Sequence, residues 1–437
     1  MAGVDAEAAV HSMVECPLAD SDCSSQGASE YESNVNVQTL MRCCNVLAVT
    51  YLACSVITFN SSPYTGPGSA LDAVVVMVDV ITIDISSALF VMAGLVCARM
   101  HYAMDEVSMD TLVAATACAM ALDMGIATVL SLLLGGLHAL LMHRFKWADV
   151  GFTLLEGATT LRGLDFQQAP SAPHSYNVSA WPVQSLVWCI LTTKSVLAMD
   201  TWIAARFPAL ADVCIVVMAL AGIVLFTVFG PMQASSNIFY ANACSVTFRS
   251  MEFNLGVHLF FLSQRHPQLL CVVRGLAHKA RYIIVFCYVT VWWSEVGRPV
   301  PPSTTDTCLR LYFRNPCLQD HHAFFLRGCL LACLLFVSVD AGRHSDLARE
   351  LQGVQVSSSG VALCWPLCIL VKLVLDITFG EGVMAANRPV VSVLCLSIVL
   401  VVCFFYNSLV KPPVVNAFMR RFARPASAAR SPGTLET

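Results

Sequence analysis

The strongest chemical signal in this chain is three polar residues in an apolar stretch. In FRSMEFNLGVHL, Arg249, Glu252 and His258 interrupt a run otherwise fit for a membrane-spanning helix. A guanidinium and a carboxylate three residues apart share a helical face and can pair. A charge at the centre of a bilayer costs about 2.5–3.5 kcal/mol on insertion scales, so each such residue has a partner or a function. Two readings are open for Arg249 and Glu252: a charged site facing a cavity, or an ion pair that fixes helix packing. Asp79 and Asp84 lie in an earlier apolar run, about 140° apart around a helix, so they make no tidy carboxylate pair. They fit either a proton relay or hydrogen bonds to neighbouring helices. Asp123 and His138 stand as lone polar residues in a third run, and Lys194 and Asp200 share a fourth.

These residues need elements to position them, and composition names the elements. Charged residues are 12% of the chain and AVILMFWYC residues are 57%, whereas soluble domains carry about 25% charged residues. The apolar residues fall into runs of roughly 18 or more, the length a helix needs to cross a core of about 30 Å. The runs lack the alternation of a barrel strand, so closed helices must satisfy the backbone. The expected fold is an all-α polytopic membrane helix bundle of about ten transmembrane helices. The spans fall near 39–59, 71–98, 110–142, 180–205, 208–230, 236–263, 270–295, 322–341, 359–379 and 388–411. Residues 1–37 hold seven Asp and Glu and no Lys or Arg, which reads as a disordered acidic tail. Residues 38–411 form the transmembrane domain, and 412–437, rich in Pro, Ala and Arg, reads as a disordered basic tail.

Orientation follows from charge. Fourteen Lys and Arg, Lys411 among them, fall on the side of the termini, against seven on the other side. The positive-inside rule places both termini in the cytoplasm. Two glycosylation sequons, at Asn60 and Asn177, then fall on the opposite side. The longest loops on that side are 143–179 and 296–321, and the second holds Cys308 and Cys317, a pair suited to a disulfide in an oxidising compartment. Most of the 20 cysteines lie in apolar spans, where they serve as small packing residues. No pair shows zinc-ligand spacing with histidines, so no metal is expected. The net charge of -4 with no basic stripe gives no sign of a nucleic-acid partner. The sequence holds no phosphate-binding glycine loop, nucleophile elbow or HExxH.

The order of segments resembles the acyltransferase-3 family of integral membrane acyltransferases. MRCCNVLAVTYLACSVI, with Arg42, is similar to the family's opening helix. ISSALFVMAGL keeps Phe90 and Gly94 of the FFxxSG motif, with Ala93 for the serine, and HSYNVSAWPVQSLVWCIL resembles the outer segment before the fourth helix. FYANACSVTFRSMEFNLGV matches best, with the family's FY, then FR, an acidic residue and a glycine. LQGVQVSSSGVALCWPLCILV and CFFYNSLVKPPV resemble the late helices. Nearly the whole transmembrane region is covered.

The resemblance implies a ten-helix enzyme that transfers acetyl or another short acyl group from acyl-CoA to a glycan or lipid acceptor. It implies Arg42 toward the acyl-CoA donor, and Arg249 and Glu252 in the catalytic site; no cofactor would be tightly bound, and the surroundings are membrane lipids. Departures are specific. The family's histidine stands toward the outer end of the first helix, where this chain reads Ala53, Cys54, Ser55. The arginine pair that opens the third helix is replaced by DTLVAATACAMALDMG. Losing a general base costs about a factor of 10²–10⁴, so acyl transfer is expected to be absent or very weak. His101, His138, His143 and His258 are the histidines near spans, and His258, on the helix of Arg249, is the candidate replacement base. The alternatives are a non-catalytic membrane partner of the same fold and a transporter built on the intramembrane charges.

Overall fold

The computed structural model describes residues 37–61, 70–103, 106–141, 143–159, 176–177, 180–213, 217, 246–266, 280, 282–287, 289–290, 328, 331–332, 347–380 and 387–422. Its principal elements are α1 (Val37–Ser61), α2 (Ala70–Ala103) and α3 (Glu106–Leu130), which runs through a π-helical turn (Ser131–Gly135) into α4 (Gly136–Leu141). Next come α5 (Trp147–Thr159), α6 (Trp181–Arg206), α7 (Val246–Arg265) and α8 (Leu347–Phe379). Last, α9 (Arg388–Phe405) passes through a second π-helical turn (Tyr406–Val410) into α10 (Lys411–Phe422). No strand occurs among the described residues.

Six helices are long and apolar enough to cross a membrane: 40–57, 84–102, 109–141, 181–206, 358–379 and 389–420. The chain is therefore a multi-pass membrane protein, all helical over what is described. The expected spans 208–230, 270–295 and 322–341 lie mostly outside the described residues, as do the acidic tail 1–36 and the Cys308–Cys317 loop. The ten-span count is thus not established. The expected sixth span, 236–263, appears as α7, which carries three charges and sits inside the bundle.

Helix α2 packs between α1, α6 and α7, while α8 packs between α1, α3 and α9. The outer surface is apolar: Leu133, Trp202, Ile377, Val390, Val393 and Leu409 all point outward. A contiguous apolar exterior of this kind is what lipid requires.

Three features depart from the sequence reading. Segment 147–159 is not a loop: α5 buries Asp149, Thr153 and Glu156 against the bundle and turns Leu154 and Leu155 outward. Its polar side faces in and its apolar side out, the reverse of a helix on a soluble domain. Second, residues 411–422 are helical rather than part of a disordered tail. The π turn explains how a helix continues through Pro412 and Pro413. Each ring would clash with the carbonyl four residues back, at Ser408 and Leu409, and the wider turn lies at those carbonyls. Third, Pro366 sits inside α8. It has no N–H for the carbonyl of Ala362, and Asn177 Nδ2 donates to that oxygen at 3.0 Å instead. Transmembrane helices tolerate proline when a neighbour satisfies the freed group in this way.

Candidate functional site

Two glycines set the geometry around Arg249. A Cβ on Gly94 of α2 would run into the carbonyl oxygen of Phe253, and one on Gly256 of α7 into that of Val91. The two backbones therefore touch, as small residues allow in membrane helices. This closeness brings Arg249 of α7 within reach of α2. Its Nη1 donates to Ser87 Oγ at 2.8 Å and to Glu252 Oε2 at 2.7 Å. Arg249 and Glu252 are each 1% exposed. The guanidinium carbon lies 4.9 Å from the ring centre of Trp181, at the start of α6, and 5.7 Å from that of Phe90. Those two rings are nearly parallel, 6.3 Å apart, and Tyr51 of α1 meets Trp181 edge-on at the same separation. A buried cation against two aromatic faces gains cation–π stabilisation. Glu252 Oε1 has no hydrogen-bond partner among the described residues.

The expected pairing of Arg249 with Glu252 is thus realised, and Ser87, Phe90, Trp181 and Tyr51 complete its surroundings. Tyr51 stands two residues before Ala53, the neighbourhood where the acyltransferase-3 histidine would fall. Arg42 stands further along the same helix. It lies nine residues before Tyr51 on α1, roughly 13 Å along the axis by helical rise.

His258 belongs to a second cluster nearer the end of α7. Its Nδ1 lies 3.2 Å from Asp200 Oδ1 of α6. Arg265 donates from Nη1 to Asp200 Oδ2 at 3.1 Å and from Nε to Asp212 Oδ1 at 3.0 Å. His266 Nε2 lies 2.8 Å from Asp212 Oδ2. The result is a chain from His258, buried, through Asp200, Arg265 and Asp212 to His266, exposed. A carboxylate oxygen can only accept, so Nδ1 is the donor to Asp200, and in a neutral imidazole Nε2 is then the nitrogen with the lone pair a general base needs. The spacing of His258 and Arg265, two turns apart on one face, was visible in the sequence; Asp200 between them was not.

The remaining expectations resolve as follows. Lys194 and Asp200 share α6 but serve different partners: Lys194 pairs with Asp110 of α3, at 2.9 Å on the exterior. Asp84 is fully buried, and the side chain of Asp79 lies outside the described residues. Asp123 is not a lone residue: Lys411 and Ser359 both donate to its Oδ2. Asn60 lies in the last turn of α1, with Nδ2 donating to Val56 O. Asn177, the second sequon asparagine, is buried, and its Nδ2 donates to Ala362 O. Comparison with family models, with curated proteins and with solved structures finds no match for this chain.

Proposed function

We propose that this protein is a membrane-embedded acyltransferase of the acyltransferase-3 type, taking a short acyl group from acyl-CoA to a glycan or lipid acceptor, with His258 as its base. The observation that carries this reading is the buried His258–Asp200 pair, continued by the half-buried Arg265. A carboxylate that holds one imidazole nitrogen fixes the tautomer and stabilises the imidazolium formed when the other nitrogen takes a proton from an acceptor hydroxyl. Arg265 on the second oxygen of Asp200 keeps that carboxylate oriented. Of the residues the resemblance carries over, Phe90, Gly94, Arg249 and Glu252 lie together with Trp181 against them, while Arg42 lies further along α1. The absent histidine on α1 and the absent arginine pair on α3 argue for weak transfer, and His258 supplies the missing function from another helix.

The test is transfer of labelled acetyl from acetyl-CoA to glycans and lipids in membranes holding the full chain. Transfer should fall by about 10²–10⁴ in His258→Gln and fall strongly in Asp200→Asn, with unfolding temperatures showing both variants folded. Transfer unchanged in both variants would remove His258 from the chemistry. A second reading, a non-catalytic membrane partner, draws on the closed surroundings of Arg249, whose charge is already matched by Glu252 and covered by aromatic rings. It predicts no transfer by the wild-type chain to any acceptor.

A further inference from the structure

Asp123 on α3, Ser359 on α8, and Asn407 and Lys411 at the α9–α10 junction meet inside the bundle, away from both clusters on α7. Lys411 Nζ lies 2.7 Å from Asp123 Oδ2 and 3.0 Å from Ser359 Oγ, with its side chain 5% exposed. The Ser359 hydroxyl has two acceptors in reach, Asp123 Oδ2 at 2.9 Å and Asn407 Oδ1 at 3.1 Å. Asn407 directs its nitrogen to Cys403 O, so its oxygen is the atom turned toward Ser359. The ammonium is therefore held by two oxygens from two helices, the charged Asp123 Oδ2 and Ser359 Oγ, with Asn407 Oδ1 behind the serine.

The same lysine stands at a joint. It follows the π turn directly and precedes Pro412 and Pro413, so the helix ladder lacks two donors at this point. Beyond the joint α10 touches α3 but leaves Val414 and Phe418 largely exposed. Lys411 is the buried polar attachment of an otherwise lightly held helix.

We propose that Asp123, Ser359 and Asn407 form a binding site for a small monovalent cation, filled here by the tethered ammonium of Lys411, and that replacing this ammonium with a free cation releases α10. Charge sets the class of ligand. One carboxylate balances one positive charge, and a divalent ion would leave a net charge where burial makes it costly. Oxygen ligands without sulfur or imidazole suit a hard cation or an ammonium.

The test uses the full chain in lipid nanodiscs, with methylammonium, sodium or choline chloride at equal concentration. Choline, a bulky quaternary cation with no N–H to donate, is the control. Lys411→Ala should unfold roughly 2–4 °C lower than wild type in choline and recover in methylammonium or sodium. The pair Asp123→Asn with Lys411→Ala should respond to none of them. Equal unfolding temperatures for Lys411→Ala in all three salts would overturn the cation site. Hydrogen exchange on the wild-type chain tests release without a variant. Exchange over 411–422 should rise in methylammonium relative to choline while α1 and α2 stay unchanged. If Lys411→Ala fails to fold, the neutral pair Asp123→Asn with Lys411→Gln leaves no lone charge, and its α10 should lose protection. Wild-type protection of 411–422 in that pair, or no salt effect on the wild-type chain, would overturn the latch.

Discussion

Arg249 meets its counter-charge within its own helix, and this determines how substitutions there behave. Removing one member of a buried pair strands the other charge, at a cost of about 3–5 kcal/mol, whereas removing both avoids it. Arg249→Ala should therefore destabilise the protein more than Arg249→Ala combined with Glu252→Ala. Unfolding in detergent checks this; a double variant as damaged as the two singles added together would mean that the pair is not coupled. Glu252→Gln should be milder than Arg249→Ala, since it leaves a cation still held by Ser87, Phe90 and Trp181. The Arg249–Glu252 pair was legible in the sequence because both members lie within one turn. The Asp123–Lys411 pair was not, because its members are 288 residues apart and only tertiary packing brings them together.

Helices α2, α7 and α8 show how backbone needs dictate side-chain identity. Where α2 crosses α7, an added Cβ at Gly94 or Gly256 meets a backbone carbonyl, which cannot move aside as a side chain can. Gly94→Ala should destabilise by about 1–3 kcal/mol or more, read as a lower yield of folded protein and an earlier thermal transition. On α8 the unmatched carbonyl of Ala362 gives a sharper test. Asn177→Ala should cost about 1–3 kcal/mol by leaving a buried acceptor unsatisfied. In a Pro366→Ala background the residue at 366 supplies its own N–H to Ala362, so the same change should cost clearly less. Equal costs in both backgrounds would mean that Asn177 acts elsewhere. Asn177-Val-Ser reads as a sequon because a sequon is a local pattern; the proline it serves lies on a distant helix.

For the whole molecule, the apolar exterior and the buried charges together describe a protein built for lipid. Its orientation rests on the loop charges, and the structure revises that count. Lys411 is buried against Asp123 rather than free at a membrane face, so the asymmetry becomes thirteen to seven. The sign is unchanged, and both termini are expected in the cytoplasm. An N-terminal tag should be digested by protease added to sealed microsomes; a protected tag would reverse the orientation. Hydropathy located the six long apolar helices well, because length and composition alone define them. It misjudged α5, whose 13 residues are too few to span and whose acidic residues face inward.

The π turn Ser131–Gly135 gives the chain a tolerance to loss that substitutions would not reveal. A π turn accommodates one residue more than the α-helix around it needs. Deleting Leu133, which points outward, should collapse the turn to regular helix and leave α4 and the Phe145–Trp147 ring contact where they are. Deleting the outward-facing Ala121, in the regular part of α3, should instead rotate everything after it by about 100° and carry Asp123 away from Lys411. Two deletions of equal length in one helix should therefore differ sharply in folded yield.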